Sequence, residues 1–144
     1  MGEVVVVGVD GSESGARAAH FAGRHAKEAQ ARLLVAHVVP WSPYAVQTAE
    51  DNERRRVTKK EETDAAQSAI LDPLLGELEA AGIPAEGVVR HGHPADTLCE
   101  IAREAGAVHV FIGRRGESRV KTLLFGSTAG NLIQIATVPV TVVP

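Results

Sequence analysis

The stretch Val4-Val5-Val6-Val7-Gly8-Val9-Asp10-Gly11-Ser12-Glu13-Ser14-Gly15 decides the fold class. Its aliphatic run does not alternate with polar residues, so the strand it forms has to be covered on both faces. Parallel sheets flanked by helices provide that cover. The run ends in Asp, Gly and Ser, which turn a chain and cap the start of a helix. A helix from about Ala16 to Ala29 follows, with Ala18, Ala19, Ala22 and Ala26 near one face.

The same alternation repeats along the chain. Leu33 to Val39 is a second aliphatic strand, stopped by Pro40, and Trp41 to Asp51 reads as a long loop without a period. Asn52 to Ala81 reads as a helix whose first half is polar (Glu53-Arg54-Arg55-Arg56, Lys59-Lys60-Glu61-Glu62). Its second half sets Ala69, Ile70, Leu74, Leu75 and Leu78 at helical spacing, with a kink or restart expected at Pro73. Gly87 to Arg90 is a short third strand, and His91-Gly92-His93-Pro94 a turn into a helix from Ala95 to Glu104. Val108 to Ile112 is the fourth strand, Gly113 to Gly126 a glycine-bearing loop, Ser127 to Ala136 a helix, and Val138 to Val143 the fifth strand.

A strict βαβαβαβαβ order specifies a single doubly wound, Rossmann-like α/β domain over residues 1–144. Its sheet is five-stranded and parallel, with helices on both faces, and the order 3-2-1-4-5 is expected for it. The ligand crevice of such a sheet lies at the carboxyl ends of its strands where the order reverses, which directs attention to the loops after strands one and four.

Composition narrows the partners. The 144 residues carry 15 Lys+Arg against 18 Asp+Glu, a net charge of −3, where a nucleic-acid surface calls for a basic excess. A hydrophobic fraction of 44% excludes a disordered chain. No run approaches the ~18 apolar residues of a membrane span. Met1-Gly2-Glu3 offers no basic leader, and Cys99 is the only cysteine, so a soluble cytoplasmic protein without intrachain disulfides is expected.

The loop after strand four holds the chemistry. Gly113 lets the chain turn off the strand, and Gly116 lets backbone N–H groups approach an anion. Gly126, Ser127 and Thr128 stand where unpaired amides and the positive end of a helix dipole form a phosphate seat. Arg114, Arg115, Arg119 and Lys121 make this loop basic within an acidic chain. Taken singly, the glycines could serve turns and Ser127 could be an ordinary N-cap; together, at the crevice, they point to an anion. The loop is neither a Walker A motif nor a Gly-x-Gly-x-x-Gly dinucleotide turn.

The pattern Gly113-x2-Gly116-x9-Gly126-Ser127 resembles the ATP-binding signature of the universal stress protein family, and the likeness extends over the whole chain. Val7-Gly8-Val9-Asp10-Gly11-Ser12 resembles that family's first strand and loop, and His37-Val38-Val39 the end of its second strand. Gly92-His93-Pro94-Ala95 resembles its Gly-x-Pro turn, and Thr137-Val138-Pro139-Val140 its closing strand. Val108 and His109 depart from it, since the family often has Asp just before the apolar run of strand four.

The resemblance implies a bound ATP or other adenine nucleotide, with Mg²⁺ as a possible companion. Asp10 would accept hydrogen bonds from the adenosine, and backbone groups of Val9 and Val38 would line the adenine pocket. Ile112 and Gly113 would flank the ribose, while Arg115, Gly116, Gly126, Ser127 and Thr128 would hold the phosphates. It also implies a homodimer through Val138–Val143, an apolar edge strand without a charge to block pairing. The expected protein is a ligand-responsive stress regulator acting on neither nucleic acid nor membranes. A slow ATPase or phosphotransfer enzyme is the alternative, although no second acidic residue or general base is evident. A nucleotide-free dimerisation module is disfavoured, because family members that do not bind ATP typically lack the three glycines.

Other residues have plainer readings. Asp10 alone could stabilise its turn. His91 and His93 form a turn pair more readily than a metal site, and no third ligand converges on them. His37 reads as a satisfied core or crevice histidine, His20 and His25 as surface residues, and Cys99 as a small core residue. Arg54 to Lys60 reads as a solvated helix face. Trp41 and Tyr44 either cover the crevice or cap the core.

Overall fold

A computed structural model describes residues 2–40, 49–116 and 125–144. Strand β1 (Val4–Gly8) is followed by helix α1 (Glu13–Ala29), β2 (Arg32–Pro40) and α2 (Ala49–Ala66). The last of these runs through a π-helical turn, Gln67–Leu71, into α3 (Asp72–Ala80). Then come β3 (Ala85–Gly92), α4 (Pro94–Ala105), β4 (Ala107–Gly113), α5 (Ser127–Ile135) and β5 (Val140–Val143). The strands form one sheet in the order β3-β2-β1-β4-β5, and every pairing is parallel. This is the expected doubly wound arrangement.

The aliphatic run of β1 works as its composition requires. Val5 and Val7 belong to one core with Ala18, Ala19, Ala22 and Ala26 of α1 and Leu71, Leu74 and Leu78. Val6 belongs to a second core, on the opposite face, with Leu98, Ile101 and Ala102 of α4 and Ala129 and Leu132 of α5. Small alanines let α1 lie close on the sheet, and the central strand is sealed from water on both sides.

Most element ends shift by one to three residues, as at α1, which begins at Glu13, and four further differences from the expectation have a physical cause. Helix α2 begins at Ala49, so the long loop is shorter than Trp41–Asp51 at its far end; Trp41 and Tyr44 fall outside the described residues. Strand β3 spans eight residues rather than four. It is an edge strand carrying Glu86 and Arg90, and these charges hide its length from a search for aliphatic runs. Strand β5 starts at Val140 rather than Val138. Pro139 has no N–H for a ladder, although its carbonyl accepts from Val110 N at 3.0 Å.

The fourth difference concerns Pro73. The helix absorbs it without a break, through the π-turn just upstream, where Asp72 N donates to Gln67 O and Gln67 Nε2 donates to Asp72 Oδ1 at 2.8 Å. A proline ring crowds the carbonyl four residues back and offers it no N–H, and a widened turn relieves that crowding. The extra residue rotates the helix, so Ala66 and Leu71 are buried and Ala69 is exposed, contrary to the uninterrupted spacing.

Candidate functional site

A pocket of about 520 Å³ opens at the carboxyl ends of β1, β2 and β4, within the size range of small-molecule sites. All ten residues singled out from the sequence contribute to its wall. Val9 and Asp10 come from the end of β1, Val38 from β2, and Ile112 and Gly113 from β4. Arg115 and Gly116 follow β4, and Gly126, Ser127 and Thr128 open α5.

Local rules put these residues there. Ser12 caps α1, its Oγ accepting from Gly15 N at 3.1 Å. The same hydroxyl donates to Asp10 Oδ1 at 2.5 Å, and Ser12 N donates to that oxygen at 3.0 Å. One carboxylate oxygen of Asp10 is thus spent on the turn, as the plain reading held. The other, Oδ2, lies against Gly116, where a Cβ would come within 2.4 Å of it. Asp10 therefore serves the turn and faces the pocket at once.

The ends of the loop after β4 are pinned. Arg114 N donates to Val143 O, and Gly126 N donates to Arg114 O, both at 2.7 Å. A Cβ on Gly126 would stand 3.2 Å from Gly116 N, so the two glycine backbones lie nearly in contact. At α5 the N-cap is Gly126 rather than Ser127, and no side chain among the described residues caps the helix. Its first amides and the positive end of its dipole are left for a ligand. Arg114 and Arg115 are exposed beside this seat; Arg119 and Lys121 lie outside the described residues.

Val38, Pro40, Ile70, Pro94 and Leu98 add apolar surface to the lining of the pocket. The sequence sets Ile70 at helical spacing with Ala69, Leu74, Leu75 and Leu78. The π-turn delivers it to the wall, and no local signal in the sequence announces that. His37 also lines the pocket, and its Nδ1 lies 2.8 Å from Val9 O. A carbonyl only accepts, so Nδ1 carries the proton. Val9 N is engaged as well, donating to Ala36 O at 2.9 Å, so the Val9 N–H is unavailable to a ligand.

The remaining histidines sit away from the pocket wall. His91 Nε2 lies 3.0 Å from Glu62 Oε2, and His93 Nδ1 lies 3.9 Å from Asp96. Each has its own carboxylate, and the described residues hold no group of three or more His, Cys, Asp or Glu that could bind a metal. His20 pairs with Glu77 at 3.4 Å. His25 is exposed as expected, yet its ring packs on those of His109 and Phe111. Cys99 is half-buried, and burial raises its thiol pKa above the ordinary value, away from nucleophilic use. Among the described residues no helix is long and apolar enough to cross a membrane.

The comparisons agree with this architecture. The family model described as "Universal stress protein family" matches residues 1–144. Universal stress protein YxiE of Bacillus subtilis is 30% identical over 96% of this chain and 97% of its own length. Universal stress protein Rv1996 of Mycobacterium tuberculosis is 29% identical over 97% of this chain, which spans only 47% of that relative. A solved universal stress protein in complex with cAMP is 28% identical, with a TM-score of 0.72 over 99% of this chain and 97% of that one. This chain belongs to the universal stress protein family.

Proposed function

We propose that this protein binds an adenine nucleotide, ATP foremost, and acts as a homodimeric regulator whose partner contacts respond to the ligand. One observation carries the reading: the close pair Gly116 and Gly126, the start of α5 and a set of apolar side chains line one pocket. The cradle is built from Gly116, Gly126 and the start of α5; a Cβ on Gly116 would meet Asp10 Oδ2, and one on Gly126 would meet the Gly116 backbone. The cAMP complex of a 28% identical family member supports the same ligand class.

In this reading the amides of Ser127 and Thr128, with the Arg115 guanidinium, hold the phosphates. Ile112 and Gly113 flank the ribose, and Asp10 accepts from the adenosine. Val9 and Val38 line the base. Mg²⁺ arriving with the phosphates would meet a single carboxylate, Asp10, and this suits an ion that keeps waters and phosphate oxygens as its other ligands. In this reading ATP is a ligand rather than a substrate.

The protein's own nucleotide content tests this. Denaturing the purified chain and resolving the supernatant by ion-pair chromatography should release ATP, ADP or AMP. Millimolar ATP should raise the melting temperature, since a ligand at 100 times its Kd stabilises the native state by about 2.7 kcal/mol. An empty supernatant together with an unmoved melting temperature overturns the reading.

A further inference from the structure

We propose that helix α2 is a docking arm for an acidic helix of another protein, received along a basic arc of Arg55, Arg56, Lys59 and Lys60. This surface lies outside the pocket lining and is independent of the nucleotide reading. The arm is attached only at its end. Every side chain from Asn52 to Glu62 is exposed, and the first buried one in the helix is Ala66. Beyond it the π-turn leads into α3, whose Leu74 and Leu78 belong to the core and fix the base of the arm. Packing within the domain therefore does not dictate which residues occupy the exposed stretch.

The charges of α2 are sorted by face. At about 100° per residue, Arg55, Arg56, Lys59 and Lys60 share an arc of about 140°. Glu50, Glu53, Glu61 and Asp64 gather with Val57 on a separate arc of about 80°. Carboxylates border the basic arc on both sides. Glu62 stands at one border, 3.0 Å from His91 Nε2, and Glu53 at the other, 3.4 Å from Arg56. Within the arc Arg55 neighbours Lys59 and Arg56 neighbours Lys60, each four residues on, a spacing at which like charges repel. The carboxylates of a partner relieve that repulsion.

An acidic helix suits this arc in width and in repeat. One neighbouring helix is met by a stripe little wider than about 100° of the circumference. Its carboxylates four residues apart recur about every 6 Å along the axis, the rise that separates Arg55 from Lys59 and Arg56 from Lys60. Opposite charges placed this way beside paired helices set the choice of partner and its orientation. A nucleic acid fits less well. Its broad phosphate surface would meet the bordering carboxylates as well as the basic arc, on a chain whose net charge is −3.

The probe is a fluorescent, alanine-rich helical peptide of about 20 residues with two Glu-Glu pairs four positions apart. Anisotropy should show saturable binding to the full chain, weakening about tenfold between about 50 and 200 mM salt. The double variant Arg55→Gln/Lys59→Gln, both positions exposed, should bind the peptide about fivefold more weakly at the lower salt. Glu50→Gln/Glu61→Gln, on the other arc, should not weaken it. Far-ultraviolet spectra verify the helix in each variant, and Arg56→Gln/Lys60→Gln serves in place of the first pair if that one misfolds. A wild type that leaves the peptide unbound overturns the proposal, as does a basic-arc variant of wild-type affinity or an equal loss in the acidic-arc variant. Tighter binding of duplex DNA than of the peptide assigns the arc to nucleic acid and overturns it as well.

Discussion

Gly116 lies against the carboxylate of Asp10, so closely that a Cβ on the glycine would stand 2.4 Å from Oδ2. The contact joins the two loops at the strand-order reversal, and nothing larger than hydrogen fits between them. Gly116→Val should therefore push Asp10 from its place and fill the cradle, abolishing any ATP-induced rise in melting temperature. Gly116 is exposed and outside the core, so the ligand-free melting temperature should change by no more than about 3 °C. An ATP shift of wild-type size in this variant would remove Gly116 from the binding site.

Gly113 is tight for a different reason. A Cβ there would stand 2.5 Å from Ser14 Oγ and 3.0 Å from the Ser14 backbone carbonyl, which is fixed within α1. Backbone cannot rotate away as a side chain can, so Gly113→Ala should destabilise the fold itself, by roughly 1–3 kcal/mol. Urea denaturation measures this directly. A midpoint equal to that of wild type would show that α1 has more room against β4 than this contact allows.

The contrast between these glycines marks what was legible in the sequence. The parallel sheet and its layers followed from the aliphatic run of β1 and the βα alternation, because burial on both faces leaves an unbroken aliphatic run. The glycines of the loop after β4 were legible as a group, although only the fold shows that Gly113 packs on a helix while Gly116 packs on a carboxylate. The π-turn was not legible: Pro73 announces strain but not whether a helix will break or widen, and so Leu71 and Ile70 could not be placed. His37 was visible as a histidine in an aliphatic strand. Its tautomer follows from a carbonyl 28 positions away in the chain, which no local pattern encodes.

The outer edge of β5 bears on assembly. Strand β5 hydrogen-bonds to β4 on one side only, and Val140, Thr141 and Val142 are half-buried with no charge among them. An uncharged aliphatic edge invites a second strand, and a carboxylate there would have to be desolvated on pairing. Val140→Glu should convert a dimer of this chain into a monomer by light scattering at micromolar concentration, with the far-ultraviolet spectrum unchanged. A variant that stays dimeric excludes this edge as the interface.

His109 of β4 lies on the α1 face of the sheet, outside the pocket lining. His109 stacks on Phe111 with ring centroids 4.3 Å apart, meets His25 edge-on at 5.3 Å, and places Nε2 2.7 Å from Thr141 Oγ1. Burial foremost, and then the neighbouring His25, hold its pKa below the ordinary 6.5. A base whose folded pKa is depressed takes up its proton more readily in the unfolded chain. Its contribution to stability is therefore complete above about pH 6.5 and is lost as the pH falls through the folded value. His109→Gln can keep a polar nitrogen near Thr141 while removing the titration. Its melting temperature should fall less than that of wild type between pH 7.5 and pH 5, and the difference between the two curves cancels most of what the other histidines contribute. Parallel curves across that range would show that His109 does not couple to folding.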